Sequence, residues 1–358
     1  MNVAQRPFGE IDTPAVLVDL DQAEANIDRY QRYCDEHGLK LRPHIKTHKL
    51  PQLAKRQLGA GAVGITCQKV SEALAMVEGG GIADVLLTYN VLGEAKLAEL
   101  QKLAAKVHLT VVADSTVVVD GLAAAFTDPA RPLRVLVECD TGAERCGVTT
   151  PEAAVALAQR IDAAPGLHFQ GLMTYPPKGD PKAAADWFAQ AKELLEAAGL
   201  PPATISSGGS PDMWQAHRAA GVVTEYRPGT YVYYDRSLVQ RGTCTFDDCA
   251  LTILATVVSV PTEHRAIIDA GSKVITSDLL GLEGYGHVLG RPDITIDQLS
   301  EEHGRLVSKE PIGLRVGDRV RIVPNHACVV SNMLDRVTAV RGDAVEGPIK
   351  VHARGLVW

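Results

Sequence analysis

Short apolar runs alternate with longer amphipathic segments over the first two thirds of the chain. The apolar runs have the length of buried strands, and the segments between them have the helical spacing of apolar residues. This alternation is typical of parallel βα units. It predicts eight strands, at residues 41–45, 62–67, 83–89, 108–113, 133–139, 169–175, 203–207 and 223–227. The predicted helices between them include residues 71–78, 95–103, 151–161, 181–198 and 211–220.

Eight such units favour a (β/α)8 barrel over a doubly wound open sheet. After about residue 245 the pattern becomes strand-rich, and an early strand at 14–20 either joins this region or caps the barrel. The expected fold class is α/β, a TIM-type barrel at 21–245 with a second, β-rich domain at 1–20 and 246–358. The later strands of that domain are predicted at 250–260, 265–269, 319–322, 327–330, 335–340 and 349–351.

Composition narrows the class of protein. The 358 residues are 46% hydrophobic and 22% charged, which suits a globular enzyme with a large core. The net charge of −7 comes from interspersed acidic and basic residues, so no continuous positive surface for nucleic acid is expected. No run approaches the ~18 apolar residues of a membrane span, and the polar stretch 1–10 lacks the apolar core of a signal peptide. A cytoplasmic protein with reduced thiols is expected, because its seven cysteines lack paired short spacings.

The most informative motif is the basic run at 42–49, Arg-Pro-His-Ile-Lys-Thr-His-Lys. Lys46 directly follows the first predicted strand, and the chemistry of a parallel barrel is located where strands end. A lysine amine among cationic neighbours is the usual Schiff-base partner of pyridoxal phosphate. The run alone also fits a solvated basic loop or an anion-binding patch.

The loops after the seventh and eighth strands are candidates for phosphate binding. Residues 206–212 read Ser-Ser-Gly-Gly-Ser-Pro-Asp, in which glycines permit close backbone approach and Pro211 begins a helix. Residues 227–231, Arg-Pro-Gly-Thr-Tyr, are placed to complete the same cradle. A flexible Gly-Ser turn is the alternative interpretation.

Two further features suggest cofactor and metal chemistry. Arg145 follows the fifth strand and is a candidate partner for the pyridine nitrogen, although a surface salt bridge with Glu144 or Glu138 is the commoner fate of such an arginine. His326 and Cys328 are two residues apart and would share a face of a strand. Imidazole and thiolate together favour Zn²⁺, whereas two half-buried core residues are the alternative.

In combination, these residues resemble the D-threonine aldolase and D-serine dehydratase group of fold-type III pyridoxal-phosphate enzymes, which is related to alanine racemase. The resemblance extends over nearly the whole chain. Its motifs are Asp12-Thr13-Pro14, the basic run at 42–49, Gly64-Ile65-Thr66-Cys67-Gln68-Lys69, Arg145-Cys146-Gly147-Val148, the Ser-Gly-Gly loop and the final His-x-Cys.

The resemblance implies a role for each matching residue. Lys46 would form the Schiff base, Arg145 would face the pyridine nitrogen, and His326 and Cys328 would bind a divalent metal, most simply Zn²⁺, with Mn²⁺ or Mg²⁺ as alternatives. It also implies a homodimer in which the β-rich domain helps to close the partner's barrel site. The remaining cofactor-binding residues would be Gln68, Tyr175, Ser207, Gly208, Gly209, Gly229 and Thr230.

The expected substrate is a small β-hydroxy-D-amino acid, and two departures bear on how it reacts. Aldolases of the group carry His-x-Asp at the metal pair, whereas Cys328 resembles the D-serine dehydratase version. Those aldolases also have a histidine after the tyrosine that ends strand six, whereas Pro176 follows Tyr175 here, so His44 and Tyr175 become candidate bases. The barrel, by contrast, looks most like the D-threonine aldolases. We therefore expect an aldolase, with a D-serine or 3-hydroxy-D-aspartate dehydratase as the alternative.

Two other activities fit the barrel. An amino-acid racemase would need a tyrosine base from the second domain, for which Tyr285 is a distant candidate. A non-catalytic pyridoxal-phosphate carrier would lack the second domain, whereas here about 110 residues follow the barrel. Metal removal by EDTA distinguishes both from the expected lyase.

Overall fold

The computed structural model describes residues 8–179 and 181–358. Residues 1–7, part of the polar N-terminal stretch and of the segment 1–20 expected in the β-rich domain, lie outside the described residues. The chain divides into two compact units, and strand β1 (Ala15–Asp19) and helix α1 (Leu20–Glu36) come first. The barrel unit contains 29–46, 50–229 and 356–358, and the sheet unit contains the described residues up to 28, 47–49 and 230–355.

The barrel unit is built around eight parallel strands. Hydrogen bonds from Val63 N to Leu41 O (2.9 Å) and from Thr66 N to Pro43 O (2.8 Å), together with a bridge between His44 and Thr66, connect the first strand to the second. The predicted fold class is therefore confirmed. Each strand from β3 to β8 pairs with the next along the chain, and β9 pairs with β2. The strands are β2 (Lys40–Leu41), β3 (Ile65–Cys67), β4 (Asp84–Leu87), β5 (His108–Ala113), β6 (Leu133–Glu138), β7 (Leu167–Met173), β8 (Thr204–Ser207) and β9 (Glu225–Tyr226).

Helices follow most of these strands, as the amphipathic pattern predicts. Leu86, Val112, Leu136 and Met173 come from four neighbouring strands and form one buried cluster. The segment after β8, Ser210–Ala219, is a 3₁₀ helix with a kink at Asp212, so the helix predicted at 211–220 differs in type. The α-helices are α2 (Pro51–Ala60), α3 (Val70–Glu78), α4 (Glu94–Ala104), α5 (Thr116–Ala125), α6 (Pro151–Asp162) and α7 (Pro181–Ala197).

Strand β7 has an irregularity that requires glycine. The register between β6 and β7 shifts between Val135 and Leu136, opposite Gly171. Gly171 has a φ of +143°, and a Cβ there would lie 1.9 Å from the carbonyl oxygen of Thr204 on β8. Any side chain at this position would push β8 away.

The sheet unit is mostly antiparallel. Its strands are ordered β13-β14-β11-β10-β1-β16-β17. The early strand predicted at 14–20, which is β1, therefore joins this sheet between β10 and β16. Phe8, Leu17, Leu254 and Val340 form one buried cluster of the unit. Its remaining strands and helices are α8 (Arg236–Gln240), β10 (Leu251–Thr262), β11 (Arg265–Ile268), α9 (Ser272–Ile275), β12 (His287–Val288), β13 (Ile294–Leu299), β14 (Gly304–Ser308), β15 (Arg319–Val323), α10 (Ala327–Met333), β16 (Arg336–Arg341) and β17 (Ala344–Lys350).

The strand predicted at 327–330 is wrong, because these residues form helix α10. Extended backbone ends at His326, with φ −140° and ψ 97°. The first amide of the helix, Ala327 N, donates to Asp235 Oδ2 at 3.1 Å. Cys328 therefore lies in a helical turn, and the shared strand face proposed for His326 and Cys328 does not exist.

The described helices include none with the length and apolar character needed to cross a membrane.

Candidate active site

Lys46 lies in a tight turn beyond the first barrel strand. Strand β2 ends at Leu41, earlier than predicted, and a 3₁₀ turn spans Ile45–Thr47. The side chain of Lys46 is exposed, and within the described part of the chain its amine has no hydrogen-bond or ion-pair partner. The amine is thus available to react with an aldehyde.

His44 is buried beside Lys46 and holds a defined tautomer. Its Nε2 lies 3.2 Å from Gln68 Oε1, which can only accept, and its Nδ1 accepts from Lys46 N at 3.4 Å. Gln68 is fixed in turn, because its Nε2 donates to Thr88 O at 2.8 Å. Burial, followed by the charges of Lys46 and Arg227, lowers the pKa of His44 well below its ordinary value. The imidazole is therefore neutral near neutral pH.

Arg145 packs its guanidinium over the ring of Tyr175, 4.7 Å from the ring centre. Among the described residues it forms no ion pair with Glu144 or Glu138, the surface pairing that was the alternative. The structure thus brings together Arg145 and Tyr175, two of the predicted cofactor-binding residues.

Two ionisable side chains are buried at this end of the barrel. Arg227, the first residue of the predicted loop 227–231, donates from Nη1 to Ser206 Oγ (2.6 Å) and from Nη2 to Thr174 O (2.5 Å), and burial lowers its pKa to about 10. Glu138, the last residue of β6, has its pKa raised to about 7, first by burial and then by Asp114. Neither side chain was assigned a separate role from the sequence, because their burial follows from the closed barrel.

The Ser-Gly-Gly loop needs glycine at two positions, because tyrosine rings pack against it. Gly208 has a φ of +108°, and a Cβ there would lie 2.4 Å from the ring of Tyr226. A Cβ on Gly209 would approach the Tyr175 ring to 3.2 Å. Gly209 is the N-cap of the 3₁₀ helix that begins at Ser210, so the amides of the first turn of that helix follow directly after the loop.

The two predicted phosphate loops come together in the barrel unit. Gly229 N donates to Ser210 Oγ at 3.1 Å, which connects the loop after β9 to the loop after β8. A free lysine amine, a guanidinium stacked on a tyrosine and a glycine-lined loop are what pyridoxal phosphate requires. The barrel residues therefore fit this cofactor.

The sheet unit contains the His-x-Cys pair. His326 Nδ1 lies 2.7 Å from Asp278 Oδ2, which orients the ring and leaves Nε2 for a metal. Burial lowers the pKa of His326, but hydrogen bonds to Cys328 and Asp278 outweigh it and raise that pKa to about 9. Asp278 was not predicted, because it lies in a loop without a motif, far from the pair in sequence.

Two threonine hydroxyls contact the sulfur of Cys328. Thr47 Oγ1 lies 3.1 Å and Thr230 Oγ1 lies 3.5 Å from Cys328 Sγ. Thr230 was predicted near the phosphate, whereas its hydroxyl points to the thiol. Among the described residues, no group of three or more His, Cys, Asp or Glu side chains is suited to hold a metal ion. An imidazole with an orienting carboxylate and one thiol fits a zinc site that keeps open positions.

Comparisons with known proteins show which family has this arrangement. Residues 18–237 match the alanine racemase N-terminal domain, and residues 250–340 match a putative serine dehydratase domain. The chain is 36% identical to D-threonine aldolase of Arthrobacter sp., over 98% of this chain and 94% of the relative. The chain belongs to the D-threonine aldolase and D-serine dehydratase family. Members of this family are pyridoxal-phosphate-dependent lyases.

Other members of the family include an aldolase and a dehydratase. Identity is 38% to 3-hydroxy-D-aspartate aldolase of Paracoccus denitrificans, over 97% of this chain and 93% of the relative. The solved D-threo-3-hydroxyaspartate dehydratase of Delftia sp. HT23 superposes with a TM-score of 0.85 at 30% identity, covering 95% of this chain and 97% of that one. A mutant of that dehydratase has also been solved in a metal-free form, which indicates that the dehydratase binds a metal.

Proposed function

We propose that this protein is a pyridoxal-phosphate- and metal-dependent aldolase that cleaves β-hydroxy-D-amino acids of the D-threonine type to glycine and an aldehyde. The observation that carries the proposal is the similarity over nearly the whole chain to two aldolases, at 36% and 38% identity, against 32% for the dehydratase of Delftia sp.. The residues proposed to hold the cofactor belong to the barrel unit, and those proposed to hold the metal belong to the sheet unit.

In the barrel unit, Lys46 would hold the cofactor, and Gly208, Gly209 and Gly229 would lie around its phosphate. Arg145 would face the pyridine nitrogen, because a guanidinium that cannot give up its proton keeps that nitrogen unprotonated. Pyridoxal phosphate, when bound, withdraws electrons from the Cα of the attached amino acid.

In the sheet unit, His326 and Cys328 would hold the divalent metal, with Zn²⁺ favoured over Mn²⁺ or Mg²⁺ by the thiol. The ion, when bound, polarises the β-hydroxyl of the substrate. Asp278 would keep His326 in the tautomer that presents Nε2. A homodimer in the cytoplasm is part of the same proposal.

The aldol cleavage needs a group that takes the β-hydroxyl proton, and Tyr175 is the better of the two candidates. His44 is occupied, since its Nε2 donates to Gln68 and its Nδ1 accepts from Lys46 N. The lowered pKa of His44 also makes it a weak proton acceptor. The guanidinium of Arg145, stacked on the Tyr175 ring, favours the phenolate, which is the form of Tyr175 that accepts a proton and becomes neutral on doing so.

The second candidate is a D-serine or 3-hydroxy-D-aspartate dehydratase, which Cys328 favours because it resembles the metal pair of the dehydratases. In that reaction Lys46 would take the Cα proton while the β-hydroxyl departs. The products would be a 2-oxo acid and ammonia.

Product analysis tests the proposal. The enzyme, loaded with pyridoxal phosphate and Zn²⁺ or Mn²⁺, is offered D-threonine, D-serine and 3-hydroxy-D-aspartate separately, and glycine and 2-oxo acid are measured together. Glycine with an aldehyde supports the aldolase. A 2-oxo acid with ammonia and no glycine would replace it with the dehydratase. The L-enantiomers serve as controls and should yield neither product.

A further inference from the structure

Cys328 presents a thiol to two hydroxyls on separate segments of the sheet unit. The nearer is Thr47, whose side chain is fully buried. The second, Thr230, begins a short 3₁₀ turn (Thr230–Val232), and its own carbonyl accepts from Tyr233 N at 3.0 Å. Among the described residues, the hydroxyl of Thr230 contacts the sulfur of Cys328.

We propose that Thr47 and Thr230 are positioning residues that hold the sulfur of Cys328 in the orientation in which it binds the metal. The inference rests on the proposed function, because it takes Cys328 as a ligand. It goes beyond that function by assigning roles to two side chains that contact neither the metal nor the reacting atoms.

The physical reason is the charge on the sulfur. A cysteine binds Zn²⁺ as the thiolate, which has no proton and can only accept hydrogen bonds. A hydroxyl can rotate, so both threonines can direct their hydrogens to the sulfur once it carries charge. Hydrogen bonds to a charged acceptor are about twice as strong as neutral ones. Two donors at different angles also restrict the side-chain torsion of Cys328.

The two sides of the sulfur differ in their exposure. Cys328 is half-buried, so water reaches part of its surface. Thr47, whose hydroxyl contacts the sulfur, is fully buried, and a valine at this position fills the same volume, so water does not take the place of the lost hydroxyl. Removing the hydroxyl therefore leaves a charged sulfur with one donor fewer on its buried side.

Zinc affinity of the full-length protein loaded with pyridoxal phosphate tests the proposal. Zn²⁺ is first removed and then titrated back against a chromogenic chelator. Thr47→Val keeps the shape of the side chain and removes the hydroxyl, and it should weaken zinc binding by about 10- to 100-fold. Thr230→Val should have a smaller effect of the same sign, because its contact is longer. Thr47→Ser and Thr230→Ser retain the hydroxyl and should bind Zn²⁺ within about threefold of the parent, well inside the range expected for losing such a partner.

Cobalt substitution adds a readout that folding defects would not mimic. The sulfur-to-metal charge-transfer band of the Co²⁺ form should weaken or shift in the valine variants and remain in the serine variants. Unchanged zinc affinity in both valine variants would overturn the proposal.

The Cys328→Ala variant tests whether Cys328 is a metal ligand, separately from the role of the two threonines. If this variant loses zinc while both valine variants keep it, the ligand assignment stands and the role of the threonines is wrong. If Cys328→Ala binds zinc as the parent does, the ligand assignment and the threonine proposal both fail.

Discussion

The end of the barrel near Lys46 combines one exposed amine with several buried charges. Lys46 has no partner among the described residues, whereas Arg227 is surrounded by protein oxygens and Glu138 is buried close to it. Because the amine of Lys46 has no partner in the described part of the chain, it can form a covalent bond without first losing a contact. The contacts of the buried charges hold those groups in place. Exposure to solvent thus distinguishes Lys46, the proposed reactive group, from the buried Arg227 and Glu138 around it.

Lys46→Ala should abolish the visible absorbance of bound pyridoxal phosphate and all turnover, because no other amine is expected to form the Schiff base. The absorbance spectrum of the purified variant, after incubation with the cofactor, is the measurement. Lys40→Ala, a change at an exposed lysine of strand β2, is the matched control and should leave the spectrum intact. A normal spectrum in the Lys46 variant would remove Lys46 from its assigned role.

Glu138 should make the cofactor-free protein less stable as the pH rises. Its pKa is raised from 4.5 to about 7, so between these values the folded state binds more protons than the unfolded state. The free energy of unfolding therefore falls as pH rises through this window and levels off above it. Glu138→Gln removes the effect and should stabilise the protein at pH 8 by up to about 3 kcal/mol, with little change near pH 4.5.

Urea unfolding at pH 5 and pH 8 measures this difference. Glu144→Gln, at an exposed carboxyl, is the control and should behave as the parent at both values. Equal stability of Glu138→Gln and the parent at pH 8 would show that burial does not perturb this carboxyl.

Strands and helices were predictable where burial alone decides them. Parallel barrel strands are buried on both faces, so their apolar runs stand out. The helices predicted at 71–78, 95–103, 151–161 and 181–198 were found with small differences in their ends, whereas the segment predicted at 211–220 is a kinked 3₁₀ helix. Helix α10 could not be predicted. Its β-branched Val329 and Val330 resemble a strand, and the group that caps it, Asp235, comes from another segment of the chain.

Strand β7 should be intolerant of any side chain at its irregular position. Gly171→Ala places a Cβ 1.9 Å from Thr204 O and fixes an unfavourable φ, so we expect a loss of roughly 3 kcal/mol or more of unfolding free energy. Gly199→Ala is the control, because Gly199 also has a positive φ, +76°, but open space around it, and should cost about 1 kcal/mol. Chemical denaturation of both variants gives the comparison.

The molecule as a whole contains two sets of proposed functional residues, and the sequence indicated one set more completely than the other. The barrel motifs were found because each follows a strand end, which the alternating pattern marks. The partners of the metal pair, Asp278 and Thr47, became visible only in the structure, because hydrogen bonds between distant segments leave no local pattern. Cofactor-binding candidates were thus easier to predict than the surroundings of the metal pair.

Removing the metal should stop the reaction without releasing the cofactor. EDTA treatment of the loaded enzyme should abolish formation of glycine while the cofactor absorbance remains, because pyridoxal phosphate and the metal use different side chains. Adding Zn²⁺ or Mn²⁺ back should restore activity. Turnover that persists in metal-free buffer would favour a racemase, and no turnover under any condition would favour a carrier.

The position of β1 has a consequence for how the chain is made. Ala15 of β1 pairs with Leu254 and Leu17 pairs with Thr338, so this strand lies between two partners that the ribosome produces more than two hundred residues later. At about 5–20 residues per second, both edges of an apolar strand stay unpaired for roughly ten seconds or more, while the barrel sequence emerges. A nascent chain stalled before β10 would thus carry β1 with two open edges, and association with other chains or capture by a chaperone is the expected fate of such a fragment.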